Sequence, residues 1–157
     1  MRRLVLMLGV AVVLSATAAP ALAQQSANPP KKNVFLYVDT VNGSRPKGAP
    51  PRPIGCTQTN YYKRGEQIVF RVWGTEAGTG AILSTENVRY AYVKVPGNPN
   101  IKLNWGAHGP ATNRVWFWTA AFDIPKDYPL GTATFRIVFK TEAGKIGFYD
   151  YTLTINP

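Results

Sequence analysis

The segment TATFRIVFK, residues 132–140, alternates its side chains without a break. Ala133, Phe135, Ile137 and Phe139 fall on one side; Thr134, Arg136, Val138 and Lys140 fall on the other. A repeat of two marks an extended strand, because successive side chains point to opposite faces of a pleated backbone. The same repeat recurs along the chain. NVFLYVDTV (33–41) reads as a first strand. In EQIVFRVWG (66–74), Ile68, Phe70 and Val72 oppose Val69, Arg71 and Trp73. NVRYAYVKV (87–95) alternates less cleanly, with Val88, Tyr90, Tyr92 and Lys94 against Arg89, Ala91, Val93 and Val95. IKLNW (101–105) places Ile101, Leu103 and Trp105 together. RVWFWTAAF (114–122) has two bulky faces, Val115, Phe117 and Thr119 against Trp116, Trp118 and Phe122. IGFYDYTLTINP (146–157) closes the series with Tyr149, Tyr151, Leu153 and Ile155 on one side.

Turn signals separate these runs: TEAGTG (75–80), PGNPN (96–100), GAHGPATN (106–113), DIPKDYPLG (123–131) and TEAGK (141–145). No stretch carries the three-and-four apolar spacing of an amphipathic helix. About seven strands joined by Gly/Pro-rich turns predict an all-β fold, a single antiparallel sandwich of two sheets. A small closed barrel is the alternative, since alternation does not say whether the sheets meet. Residues 42–53, NGSRPKGAPPRP, cannot lie inside a sheet, because proline lacks the amide that the ladder requires. They are expected to form an exposed loop with extended, polyproline-like stretches.

The amino terminus reads as an export signal. Arg2 and Arg3 precede an apolar run from Leu4 to Leu14, and Ala21-Leu22-Ala23 has the small-spacer-small pattern of a cleavage site. Cleavage after Ala23 starts the mature chain at Gln24. The apolar run is short for a bilayer span of about 20 residues. The expectation is therefore a signal peptide over 1–23, a flexible lead-in over 24–32, and a sandwich domain over 33–157. A periplasmic or secreted location follows, without an integral membrane segment.

The formal charge of +10 comes from 18 Lys and Arg against 8 Asp and Glu. In an exported chain this balance argues against nucleic acid. It points to a solvated basic surface, or to attraction to an acidic protein partner or an anionic envelope polymer. The bases form no run longer than a pair.

From Asp123 to Ile155 the chain resembles the last two strands of bacterial immunoglobulin-like domains. Asp123, Pro125, Tyr128 and Gly131 match the approach to the penultimate strand, Gly144 the hairpin, and Thr152 and Thr154 the last strand. Before this stretch the likeness is architectural. Antibody domains carry a cysteine pair that this chain lacks, as do most bacterial relatives. The resemblance implies adhesion, carbohydrate contact, accessory or spacer roles, and carries over no catalytic residue.

The residues with reactive side chains are few. Cys56 is the single cysteine, at a loop-to-strand edge ahead of Lys63 and Arg64. It reads as a packing residue, as half of an intermolecular disulfide, or as a metal or redox ligand; packing is the simplest, since reactivity needs exposure and a lowered pKa. His108 is the single histidine, and Gly106 and Gly109 around it suggest an exposed loop. Cys56 and His108 are the one imidazole–thiolate pair available to copper or zinc. A blue-copper centre fails on ligand count, because it needs a second histidine and both methionines, Met1 and Met7, lie in the signal. No acid spacing singles out a glycosidase pair, and neither Ser44 nor Ser84 stands in a nucleophile elbow. No cofactor and no catalytic residue is expected.

The aromatic load is the more suggestive feature. Trp73, Trp116 and Trp118, rimmed by Arg71, Arg114 and Lys63, form the expected binding set. Exposed aromatic rows mark contact surfaces, and Trp and Tyr give large contact area at low entropy cost. The expected function is that of a non-catalytic periplasmic accessory or interaction protein that meets an acidic protein partner through a basic, aromatic face. Two alternatives stand beside it: a small copper- or redox-linked protein using Cys56 and His108, and a carbohydrate-binding module using Trp116 and Trp118.

Overall fold

The computed structural model describes residues 33–47 and 57–157. The expected signal peptide with its Ala23 cleavage site, the lead-in over 24–32, part of the proline-rich loop and Cys56 lie outside the described residues.

Among the described residues the protein is all-β. Its strands are β1 (Val34–Asn42), β2 (Tyr61–Lys63), β3 (Gln67–Glu76), β4 (Val88–Lys94), β5 (Ile101–Lys102), β6 (Asn104–His108), β7 (Val115–Asp123), β8 (Gly131–Thr141) and β9 (Ile146–Asn156). They form a four-stranded sheet in the order β1-β3-β7-β6 and a five-stranded sheet in the order β2-β9-β8-β4-β5. The arrangement is consistent with a β-sandwich.

The alternation seen in the sequence sets the inner faces. Ile68, Phe70 and Val72 of β3 are fully buried, and so are Phe135, Ile137 and Phe139 of β8. Rings from the two sheets meet between them. Phe70 and Phe135 lie 5.3 Å apart, and Trp118 meets Phe139 edge-on at 5.4 Å. Each such ring contributes about 1.5–3 kcal/mol of burial free energy. At one corner the sheets come closer still. A Cβ on Gly147 of β9 would stand 2.4 Å from Cβ of Val34 of β1, so glycine is what lets these strands touch.

Four features depart from the expected pattern. First, β2 is an added strand, and it runs parallel to β9, with Tyr62 opposite Ile155. Residues 57–59 first run back along β1, with the Asn42 N–H donating to the Thr57 carbonyl and the Thr59 N–H to the Thr40 carbonyl, and the chain then crosses at Asn60, whose carbonyl accepts from the Thr154 N–H beside β9. Second, the run 101–105 is not one strand. Its first part pairs with β4 as β5, and its second part pairs with β7 as β6. Leu103, fully buried, is the crossing residue, and its N–H still donates to the Ala91 carbonyl at 3.0 Å. Third, β4 has a bulge between Val88 and Tyr90. The extra residue shifts the phase, so Val88 is buried with Ala91 and Val93 rather than lying beside Tyr90. Fourth, His108 belongs to β6, not to an exposed loop.

Candidate functional site

The structure brings together only some of the expected binding residues. Arg71 and Trp73 share the outer face of the four-stranded sheet, with the Arg71 guanidinium carbon 5.8 Å from the Trp73 ring centroid. Trp73 also meets Tyr37 at 5.6 Å and Phe117 at 4.7 Å. Trp116 and Trp118 point the other way, toward the interior. Trp118 is buried in the core, and its indole N–H donates to the Leu83 carbonyl at 2.7 Å. Trp116, 53% exposed, sits where the strand runs past the interior and lies against Trp105 at 5.8 Å. Two residues of equal phase thus differ in exposure: both lie against Trp105, and Trp118 also meets Phe139 of the opposite sheet. Arg114 is exposed just before β7, and Lys63 is exposed on β2 of the other sheet. Neither the tryptophan pair nor Lys63 joins the Arg71–Trp73 face.

That face also holds a concavity of about 420 Å³. Among the described residues it is lined by Val69, Val115, Phe117, Arg71, His108 and Asn113. Phe117 is 7% exposed although it points outward, because the His108 imidazole stacks on it at 4.1 Å and 19°. Burial first, and the positive charge of Arg71 second, hold the His108 imidazole below its ordinary pKa. Arg71 is fixed in a two-pronged pair with Asp39, Nε to Oδ1 and Nη2 to Oδ2, both at 2.6 Å. The copper or redox reading has His108 as its one described ligand; no group of three or more His, Cys, Asp or Glu side chains suited to a metal occurs among the described residues.

The outer face of the five-stranded sheet carries both cations and aromatic rings. Cross-strand partners line up there in rows. Tyr92, Val138 and Phe148 stand side by side, as do Tyr90, Lys140 and Ile146, and next Lys94, Arg136 and Asp150. Lys102 of β5 lies opposite Tyr92. Phe148 is 61% exposed, Ile146 50% and Tyr90 41%. Cations lie over the rings: the Arg136 guanidinium carbon is 4.6 Å from the Phe148 centroid, and Lys140 Nζ is 5.8 Å from that of Tyr90. Asp150 is the one carboxylate in these rows, and Arg136 holds it by two hydrogen bonds of 2.7 Å. Those bonds lower the Asp150 pKa and raise that of Arg136. The outward side of 132–140 was legible in the sequence; for 87–95 the alternation left the buried face open, and the bulge put Val88, grouped with the tyrosines by phase, in the core. That the two strands are neighbours was not legible, so the patch itself could not be assembled.

No protein-family model matches the chain, and no curated protein matches it. One solved structure with a similar backbone is the crystal structure of a DUF4426 family protein from Pseudomonas aeruginosa PAO1, at 14% identity and a TM-score of 0.43. That similarity covers 80% of this chain and 92% of that one. No helix among the described residues is long and apolar enough to cross a membrane.

Proposed function

We propose that the protein is a non-catalytic periplasmic or secreted accessory protein, built on an immunoglobulin-like sandwich, that binds an acidic protein partner. The contact surface in this reading is the outer face of the five-stranded sheet. The observation that carries it is the set of aligned rows in which Tyr90, Tyr92 and Phe148 alternate with Lys94, Lys102, Arg136 and Lys140 around a single, already paired carboxylate. Exposed rings supply contact area, and the surrounding cations steer an acidic partner and select against a basic one.

The test is capture from a periplasmic extract by the wild-type protein and by Lys94→Glu/Lys102→Glu/Lys140→Glu. Capture by the wild type should weaken as salt rises, since exposed charges are screened within about 8 Å at physiological ionic strength. The variant should retain its fold and lose the acidic partner. An identical, salt-insensitive set of captured proteins from both would refute the reading.

A carbohydrate-binding reading is favoured by one observation, the half-exposed Trp116 ring. Its neighbour on the surface is Trp105, while Trp118 serves the core. Loss of glycan-array binding in Trp116→Ala would separate this reading from the first.

A further inference from the structure

Strand β9 outruns its neighbour on one side. It pairs with β8 from Ile146 to Ile155, while β2 covers only Thr154–Asn156 on the other side. The Thr154 N–H donates to the Asn60 carbonyl, and the Asn156 carbonyl accepts from the Arg64 N–H, so the even-numbered peptide groups of β9 face away from β8. Those of Phe148, Asp150 and Thr152 find no partner among the described residues. Burial follows the neighbour. Leu153 and Ile155, beside β2, are buried, whereas Tyr149, of the same phase, is 44% exposed. On the opposite face Phe148 is exposed as well. A strand bare on both faces and along its edge is a template for another strand, which natural proteins guard with lysine, proline or brevity. Strands β5 and β6 have two and five residues. Strand β1 is capped by residues 57–59 at Thr40 and Asn42, and packs against Gly147 at Val34. Residues 146–152, IGFYDYT, hold neither lysine nor proline. Their one charge, Asp150, is neutralised by Arg136.

We propose that this edge pairs with the same edge of a second copy of the chain, antiparallel, about a twofold axis at Tyr149. The peptide groups of Phe148 then face those of Asp150 of the second copy, and those of Ile146 face Thr152. Every open group is used, and the added strand ends where Asn60 and β2 begin. Centring on Asp150 instead sets two carboxylates directly opposite, which destabilises a sheet, and drives the added strand into β2. With the axis at Tyr149, each Asp150 lies opposite Phe148 of the other copy. Arg136 stands 4.6 Å over that ring, so each guanidinium has a second carboxylate within its field. Tyr149 meets its own counterpart in the narrow pairing, where side chains are closest. Such a contact is isologous: one patch serves both copies, and the sandwich gains a closed dimer rather than a filament. The dimer goes beyond the acidic-partner reading and does not rest on it.

Sedimentation of the purified protein should show a monomer–dimer equilibrium. A residue on the axis faces itself, so Tyr149→Lys and Tyr149→Glu each oppose like charges and should be monomers with the circular dichroism of the wild type. Mixed in equal amounts, the two variants should form a dimer of one copy each, because Lys then faces Glu. Thr152→Pro removes an edge N–H that the β8 ladder does not use, and should weaken the dimer at least tenfold without loss of fold. Lys94→Glu/Lys102→Glu/Lys140→Glu should dimerise as the wild type does, so that loss of the acidic partner and loss of the dimer are read separately. A monomer at every concentration up to about 1 mM, a dimer that survives Tyr149→Lys, a mixture of the Lys and Glu variants that stays monomeric, or an unchanged equilibrium in Thr152→Pro would each overturn the proposal.

Discussion

Asp39 and Arg71 stand directly opposite each other in the β1–β3 ladder and form a two-pronged ion pair on the outer face of the four-stranded sheet. The Asp39 side chain is 7% exposed and that of Arg71 26%. Breaking such a pair from one side leaves an uncompensated charge. Arg71→Met should therefore cost about 3 kcal/mol, the lower end for buried pairs because the guanidinium keeps some water. The double substitution Asp39→Leu/Arg71→Met should recover most of that loss. Denaturant titration of the two single variants and the double variant measures it; a double cost equal to the sum of the two single costs would show that the pair is not coupled.

Trp118 should behave as a core residue and not as a ligand-binding one. Trp118→Ala removes a buried ring and should cost about 3–5 kcal/mol. Trp118→Phe keeps most of the packing but leaves the Leu83 carbonyl without its donor, at about 1–3 kcal/mol. Trp116→Ala, by contrast, should leave stability within about 1 kcal/mol, as for most surface substitutions. Thermal melts of the three variants decide this ordering.

Gly147 marks the tightest approach of the two sheets. Gly147→Ala should destabilise the protein by about 1–3 kcal/mol through overpacking against Val34. Val34→Ala in the same chain should relieve part of the penalty. Denaturant midpoints for both variants and their combination would show the relief as a shortfall from additivity.

The pH dependence of stability should contain a His108 component of known sign. Its imidazole is held below the ordinary 6.5, by burial and then by Arg71, so the unfolded chain takes up the proton first as pH falls. The contribution is present above pH 6.5 and is lost as pH drops from there toward the lowered native value. His108→Gln should flatten this limb of the profile. Denaturation midpoints taken at intervals between pH 7.5 and about 5 would reveal it; an unchanged slope in His108→Gln would exclude the effect.

The proline-rich segment shows how local chemistry and tertiary context divide the work. The prolines predict that residues 42–53 stay out of a sheet interior; Asn42 still ends β1, and the described residues after it, 43–47, are irregular. Where it goes is decided by long-range bonds. The Gln67 side-chain amide donates to the Arg45 carbonyl, and the Lys47 N–H donates to the Asp123 carboxylate, each at 2.9 Å. On the returning side, the Asn42 N–H donates to the Thr57 carbonyl.

What the amino-acid order settled by itself was which side chains face together in the cleanly alternating strands β3 and β8. Ile68, Phe70 and Val72, and likewise Phe135, Ile137 and Phe139, are buried as their alternation requires, because a pleated backbone leaves no other option. Tertiary structure alone decided which strands are neighbours. It split 101–105 between two sheets at Leu103, shifted β4 by a bulge, put Trp118 inside and Trp116 at the surface, and laid His108 on Phe117. The physical reason is that side-chain phase is a local property of the chain. Hydrogen-bond partners across a sheet, and the rings that meet across the core, are set by residues distant in sequence.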